Sequence, residues 1–227
     1  MFYIRIKDKF SHYAHRYDEI VAKSNYNIPH KLATMLSQRF NQEAQLKILD
    51  VGCGTGLLTS HIKDYYPNAH STGLDYSENM LREARFRFHN PTDETIQIDL
   101  SQDEIPFPDG TFDLVVSSGA SEYIGNKAHL IAEIGRVAKQ GGQILSTFMR
   151  KDLQHLKYAA TSVVVSFLSF DGNKNNASPI GYSTTKNSLL KTFEKNSMEV
   201  KGIEKARAYN QINLHTPNYL IVDALKL

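Results

Sequence analysis

The run Leu46-Lys47-Ile48-Leu49-Asp50-Val51 passes directly into Gly52-Cys53-Gly54-Thr55-Gly56, and this junction restricts what the chain can fold into. A short, nearly continuous apolar run reads as a strand buried on both faces of a parallel sheet. Glycines spaced G-x-G-x-G let the chain turn sharply and leave bare backbone for a ligand to approach. A helix is expected straight afterwards, over residues 57–66. Strand, glycine turn and helix in that order open a βαβ unit, which needs a partner strand parallel to the first.

The pattern repeats in outline. Apolar runs predict strands over 70–75, 95–99, 112–117 and 143–149, with helices over 78–88 and 128–138. This alternation implies right-handed crossovers and a doubly wound α/β sheet covered by helices on both faces. Upstream, apolar and aromatic residues recur at helical spacing over 10–21 and 28–40, around an Asn-rich break at 24–27, and Pro29 suits the first turn of the second helix. Near the C-terminus a helix over 184–196, capped by Ser183 or Thr184, leads to strands over 198–204 and 219–226. With no helix between them, these two strands should form an antiparallel hairpin edge. The polar stretch 171–176 reads as an exposed loop. One domain, 1–227, is expected, with a helical cap over 1–44, a core over 45–150, and an insert with closing strands over 151–227.

Composition excludes several classes. The 227 residues, 41% hydrophobic, can bury one substantial core. Basic and acidic residues number 26 and 24 and are spread along the chain, so no footprint for a nucleic acid stands out. Cys53 is the single cysteine, which rules out an intrachain disulfide and suits a reducing compartment. Residues 1–7 lack the layout of a signal peptide, and no apolar run approaches the roughly 20 residues that span a bilayer. A cytoplasmic protein without a membrane span is expected. No Cys/His cluster has metal-ligand spacing, so no metal is expected.

The glycine loop lies where open α/β sheets bind nucleoside-containing ligands. A dinucleotide fingerprint carries a third glycine where this chain has Leu57, so an NAD-dependent oxidoreductase is a distant alternative. Asp75, ending the second strand, can accept from both hydroxyls of a ribose. Asp99, closing the third, can accept from an adenine amino group while the next N–H, that of Leu100, meets a ring nitrogen. Asp50, Asp75 and Asp99 together would surround one nucleoside and the amino group of a methionyl tail. Cys53 reads as a small filler of the turn rather than a nucleophile.

At these residues the chain resembles the class I S-adenosylmethionine (SAM)-dependent methyltransferases, in particular the small-molecule branch related to ubiquinone and menaquinone C-methyltransferases. Ile48 through Gly56 is similar to the family's first motif, and Gly73-Leu74-Asp75-Tyr76-Ser77-Glu78-Asn79-Met80-Leu81 to its ribose-binding strand and helix. Ile105 through Val115 resembles the run into the fourth strand, whose end at Ser117-Ser118-Gly119 lies beside the donor methyl. Tyr13-Ala14-His15-Arg16-Tyr17-Asp18 resembles a helix that covers SAM, with Tyr17 near the methionyl end. The resemblance implies a Rossmann-like, seven-stranded sheet with its last strand antiparallel. It implies SAM as cofactor, S-adenosylhomocysteine as product, and contacts from Tyr17, Asp50, Gly52, Cys53, Gly54, Thr55, Gly56, Asp75, Tyr76, Ser77, Met80, Asp99, Leu100 and Ser118. It departs at Asn196-Ser197-Met198, where the family carries a glycine and Asn can take the left-handed conformation.

Methyl transfer from a sulfonium is an in-line displacement, in which the protein chiefly aligns the partners and excludes water. The acceptor is expected to be a small molecule, an apolar one included, bound by the N-terminal helices, the end of the fourth strand and the insert. The apolar run 158–170 suits either a lid or a packing surface against the sheet or a second subunit, and the chain is expected as a monomer or homodimer. His12, His15 and Glu122 are candidate bases, and none is assigned as catalytic. A non-catalytic SAM-binding module is the second alternative, because residues that bind a cofactor do not by themselves imply turnover.

Overall fold

β1 (Lys47–Val51) stands inside the sheet because both its faces are apolar, with Ile48 and Leu49 fully buried on opposite sides. The computed structural model describes residues 10–88, 90–149, 184–207 and 218–227. β1 pairs in parallel with β2 (His70–Asp75) on one edge and β4 (Phe112–Ser117) on the other. β3 (Glu94–Gln97) extends the sheet beyond β2, and β5 (Ala138–Met149) beyond β4, both in parallel. β6 (Met198–Arg207) and β7 (Asn218–Lys226) complete a seven-stranded sheet in the order β3-β2-β1-β4-β5-β7-β6. β7 runs antiparallel to both neighbours, so the expected doubly wound sheet with an antiparallel last strand is the one found.

Side chains alternate across the strands and divide the core in two. Ile48, Leu114 and Val116 face one layer, where α2 (Ile28–Leu36) and α3 (Leu57–Lys63) contribute Leu32, Leu36, Leu58 and Ile62. Leu49, Val51, Val115 and Ile144 face the other, where α5 (Lys127–Val137) and α6 (Lys186–Lys195) contribute Leu130, Ile134, Leu189 and Phe193. Two further helices matter for the site: α1 (Tyr17–Lys23), entered through a 3-10 turn at Ala14–Arg16, and α4 (Glu78–Arg85). Among the described residues no helix is long and apolar enough to cross a membrane.

Several boundaries differ from the sequence reading, each for a local reason. The helix expected over 10–21 is broken by the 3-10 turn at Ala14–Arg16. α3 stops at Lys63 rather than at residue 66, because Tyr66 is fully buried and its hydroxyl donates to the Leu36 carbonyl. α4 stops at Arg85, and the next residues fold back over the glycine loop. β3 ends at Gln97, so Asp99 lies two residues beyond the strand instead of closing it, and its carbonyl accepts from the Gln102 and Asp103 amides in a turn of its own. β5 begins at Ala138, five residues early, because Gly141 adopts φ +74° and an irregularity between Phe112 and Leu114 lets pairing continue past it. Thr185, not Ser183 or Thr184, caps α6 by accepting from the Ser188 amide at 3.2 Å. At the glycine-free turn into β6 the left-handed residue is Ser197, φ +55°, and not Asn196. The stretches 158–170 and 171–176 lie outside the described residues.

Candidate functional site

From β1 the chain steps to β2 and β3 on one side, then crosses back to β4 on the other. The loops at the C-terminal ends of β1 and β4 therefore diverge and leave a crevice, the place where such sheets bind ligands. A cleft partly open to solvent lies there. Loops after all four strands line it, with α1 above and Tyr219 of β7 at the far end.

The glycine loop forms one wall. The Gly52 and Cys53 amides both donate to the Leu74 carbonyl at 2.8 Å, which ties the loop to the end of β2. Gly52, φ +74°, is pressed against the loop after β4: a Cβ there would stand 2.3 Å from the Cβ of Ala120. Gly54, φ +55°, has the opposite surroundings, with nothing within 4 Å of where a Cβ would stand. Cys53 is buried, and burial together with the Asp50 and Asp75 charges pushes its thiol up, so it fills the turn as an unreactive side chain. Gly56 does not line the cleft: it caps α3, and a Cβ on it would meet Phe88 and Ala84 at 3.0 and 3.3 Å, so its role is the close approach of that turn to α4.

Three carboxylates reach the cleft in different states. Asp75 is half-buried; its Oδ2 accepts from the Gly54 amide and its Oδ1 from the Ser77 amide, both at 2.9 Å. Two main-chain donors thus fix the plane of this carboxylate at the cleft wall. Asp50 is 1% exposed; Thr59 donates to its Oδ2 at 2.7 Å, yet burial, with Asp75 nearby, raises its pKa from 3.8 to about 7. Asp99 is half-buried, and its Oδ1 accepts from the Ser101 amide at 3.1 Å. Beside them, Ser77 caps α4 by accepting from Met80 N at 3.2 Å, Met80 and Leu100 are buried, and Tyr76 is exposed at the mouth.

The N-terminal cap is fastened to this frame by polar contacts that sequence reasoning missed. Thr55 donates to Asp18 Oδ1 at 2.7 Å, Arg87 pairs with Asp18 Oδ2, and Arg87 also donates to the Thr55 carbonyl at 2.9 Å. Ser11 donates to Ser77 Oγ at 2.7 Å, and Asn79 donates to the Ser11 carbonyl at 2.9 Å. Asp18 immediately follows Tyr17, so the clamp sets Tyr17 against the cleft. Its partners lie 37 and 69 residues away, and no local pattern marks them.

The far end of the cleft is aromatic. Phe10 packs edge-on against Tyr17 and Tyr123 at ring separations of 6.2 and 5.0 Å, and Tyr26 against Tyr219 at 6.5 Å. The Tyr26 hydroxyl is 3.5 Å from Ser118 Oγ. Glu122 lines this end, whereas His12 and His15 are exposed and outside the lining.

The donor set suits SAM: a fixed carboxylate at Asp75 for a ribose, a buried one at Asp50 for an ammonium, and open space over Gly54 for the ligand. Sheet order and glycine loop match a Rossmann-like methyltransferase fold. Residues 48–142 match the family described as a methyltransferase domain. Similar proteins include the malonyl-[acyl-carrier protein] O-methyltransferase of Bacillus cytotoxicus, 27% identical over 68% of this chain and 53% of the relative. That of Acetivibrio thermocellus is 30% identical over 66% and 51%. The chain thus spans about half the length of these relatives. Among solved structures, magnesium protoporphyrin IX methyltransferase of Synechocystis with bound S-adenosylhomocysteine has a TM-score of 0.68 at 16% identity, covering 99% of both chains. A TehB-like SAM-dependent methyltransferase of Corynebacterium glutamicum has a TM-score of 0.62 at 20% identity, covering 96% of this chain and 98% of that one.

Proposed function

We propose that this protein binds SAM in the cleft and methylates a small acceptor, free or carrier-bound, in the cytoplasm. The observation that carries this is Asp75, its carboxylate held by the Gly54 and Ser77 amides beside the open space over Gly54. Asp75 holds the ribose hydroxyls, Asp99 and the Leu100 amide hold the adenine, and Asp50 with the glycine loop holds the methionyl end. Bound there, SAM supplies a methyl carbon activated by its sulfonium. The chain's own work is to orient this group toward Ser118 and the aromatic end of the cleft, and to keep water out with the cap.

Calorimetric titration of SAM and of NAD into wild type and Asp75→Ala tests the reading. Wild type should bind SAM, and Asp75→Ala should bind it at least tenfold more weakly, about 1.4 kcal/mol for a lost charge-assisted contact. Failure to bind SAM, or tighter binding of NAD, would overturn it.

The clamp gives a smaller effect. Asp18→Asn keeps an oxygen for Thr55 but loses the ion pair with Arg87, which is only partly shielded from solvent. SAM should dissociate from this variant roughly three- to tenfold faster, as read by stopped-flow fluorescence of the cap tyrosines, with the melting temperature nearly unchanged. An unchanged off-rate would show that the cap closes without the clamp.

A further inference from the structure

Glu122 sits in a 3-10 turn at Ser121–Tyr123, just past β4, where two contacts pin the chain to β5: Gly119 N donates to Thr147 Oγ1 at 2.9 Å, and Ser121 Oγ donates to the Thr147 carbonyl at 2.8 Å. The residue is 2% exposed and lines the aromatic end of the cleft. Its two oxygens are treated differently. Oε1 accepts from the Tyr219 hydroxyl at 2.6 Å, whereas Oε2 is buried with no hydrogen-bond partner among the described residues. A buried carboxylate oxygen left unsatisfied is costly, and a site that keeps one has a use for it.

We propose that Glu122 selects the methyl acceptor: its Oε2 accepts a hydrogen bond from an O–H or N–H group on the molecule to be methylated, and its charge rejects free carboxylates. This rests on reading the cleft as a methyl-transfer site. Two features of the surroundings favour it. Phe10, Tyr17, Tyr26 and Tyr123 give this end apolar walls suited to a flat, uncharged body, with Tyr219 beside the carboxylate. No Lys, Arg or His lines the cleft among the described residues, so a second carboxylate there would meet Glu122 with no cation on the wall to pair with, Lys127 acting on Glu122 from outside the lining. Burial raises the Glu122 carboxyl above its usual 4.5, while the Tyr219 hydroxyl, the residue's own backbone amide, the charge of Lys127 and the Ser121 hydroxyl pull it back toward the ionised form. The named relatives methylate a malonyl group on a carrier protein. A carboxylate acceptor of that kind is what Glu122 disfavours, so this chain and those relatives should part at the acceptor.

Phenol and benzoate are matched probes, flat rings that differ in whether the polar group donates a hydrogen bond or carries a negative charge. They are titrated at pH 8 by ligand-observed NMR into the full chain, with and without S-adenosylhomocysteine. Wild type should bind phenol at least tenfold more tightly than benzoate, and Glu122→Gln should bring the ratio close to one. Glu122→Asp, which keeps the charge but retracts it by one methylene, should still reject benzoate while weakening phenol at least fivefold. That variant also serves if Glu122→Gln does not fold. Benzoate binding to wild type as well as phenol does, a ratio that survives in Glu122→Gln, or no binding of either probe overturns the proposal. SAM titration on the same sample separates the two readings. Phenol preference without SAM binding overturns methyl transfer and leaves the subsite; SAM binding with benzoate preferred overturns the subsite alone.

Discussion

Asp50→Asn should melt about 5 °C or more above wild type at pH 8 while losing SAM binding at least tenfold. The wild-type carboxylate is almost completely buried, and Thr59 donates to it, yet its pKa stands near 7 against 3.8 for the free side chain. Between those two values the folded protein holds a proton that the unfolded chain has released. Stability therefore falls as pH rises through that window, and the whole penalty is present above pH 7. Asn has no charge to desolvate, and its carbonyl can still accept from Thr59. The penalty lifted at pH 8 amounts to a few kcal/mol, which for a chain of this size shifts the melting temperature by several degrees. The advantage should shrink as pH falls below 7 and vanish near pH 4. SAM binding runs the other way, because a cationic ligand favours the ionised carboxylate: wild-type affinity should be highest above pH 7 and weaken as pH falls through it. Scanning calorimetry and titration across pH 5–8 read both trends. A variant no more stable than wild type at pH 8 would mean that Asp50 is solvated in the empty cleft.

A destabilising acid kept at the end of a central strand is the mark of a site, and its position could be read from the sequence while its state could not. Asp50, Asp75 and the glycines follow one another within a strand-turn-helix pattern whose geometry is local. The alternation of strands and helices fixed the parallel order, and the missing last crossover announced the antiparallel β7. Element ends were less legible because they depend on remote contacts, such as the Tyr66 hydroxyl reaching the Leu36 carbonyl or Arg87 folding back to Thr55. The cap clamp and the Glu122–Tyr219 pair join residues 69 and 97 positions apart. Nothing in the spacing of Asp18 and Arg87, or of Glu122 and Tyr219, tells a reader of the sequence that they meet. Gly56 illustrates the converse: it belongs to the motif by pattern, yet it serves the packing of α3 against α4 rather than the cleft wall.

Gly52→Ala and Gly54→Ala should fail in different ways, although both residues belong to one motif and both hold positive φ. The left-handed conformation alone costs an L-residue about 1–2 kcal/mol, and both variants bear that. At position 52 the new methyl also lands 2.3 Å from the Cβ of Ala120, closer than non-bonded carbons come, so the loop after β1 must move away from the loop after β4. Overlap of this kind adds about 1–3 kcal/mol, for a combined loss near 3 kcal/mol and a melting temperature lower by about 6 °C or more. Separating the two loops opens the floor of the cleft, and SAM affinity should fall a hundredfold or more. At position 54 no atom lies within 4 Å of the new methyl, so the melting temperature should drop by only a few degrees. SAM binding should still collapse, because the methyl occupies the space left for the ligand. Adding Ala120→Gly separates the causes: it removes the overlapping atom and should restore roughly half the stability lost in Gly52→Ala, while doing nothing for Gly54→Ala. Equal melting temperatures for the two single variants, or no gain from Ala120→Gly, would show that the loops are not in contact through Gly52.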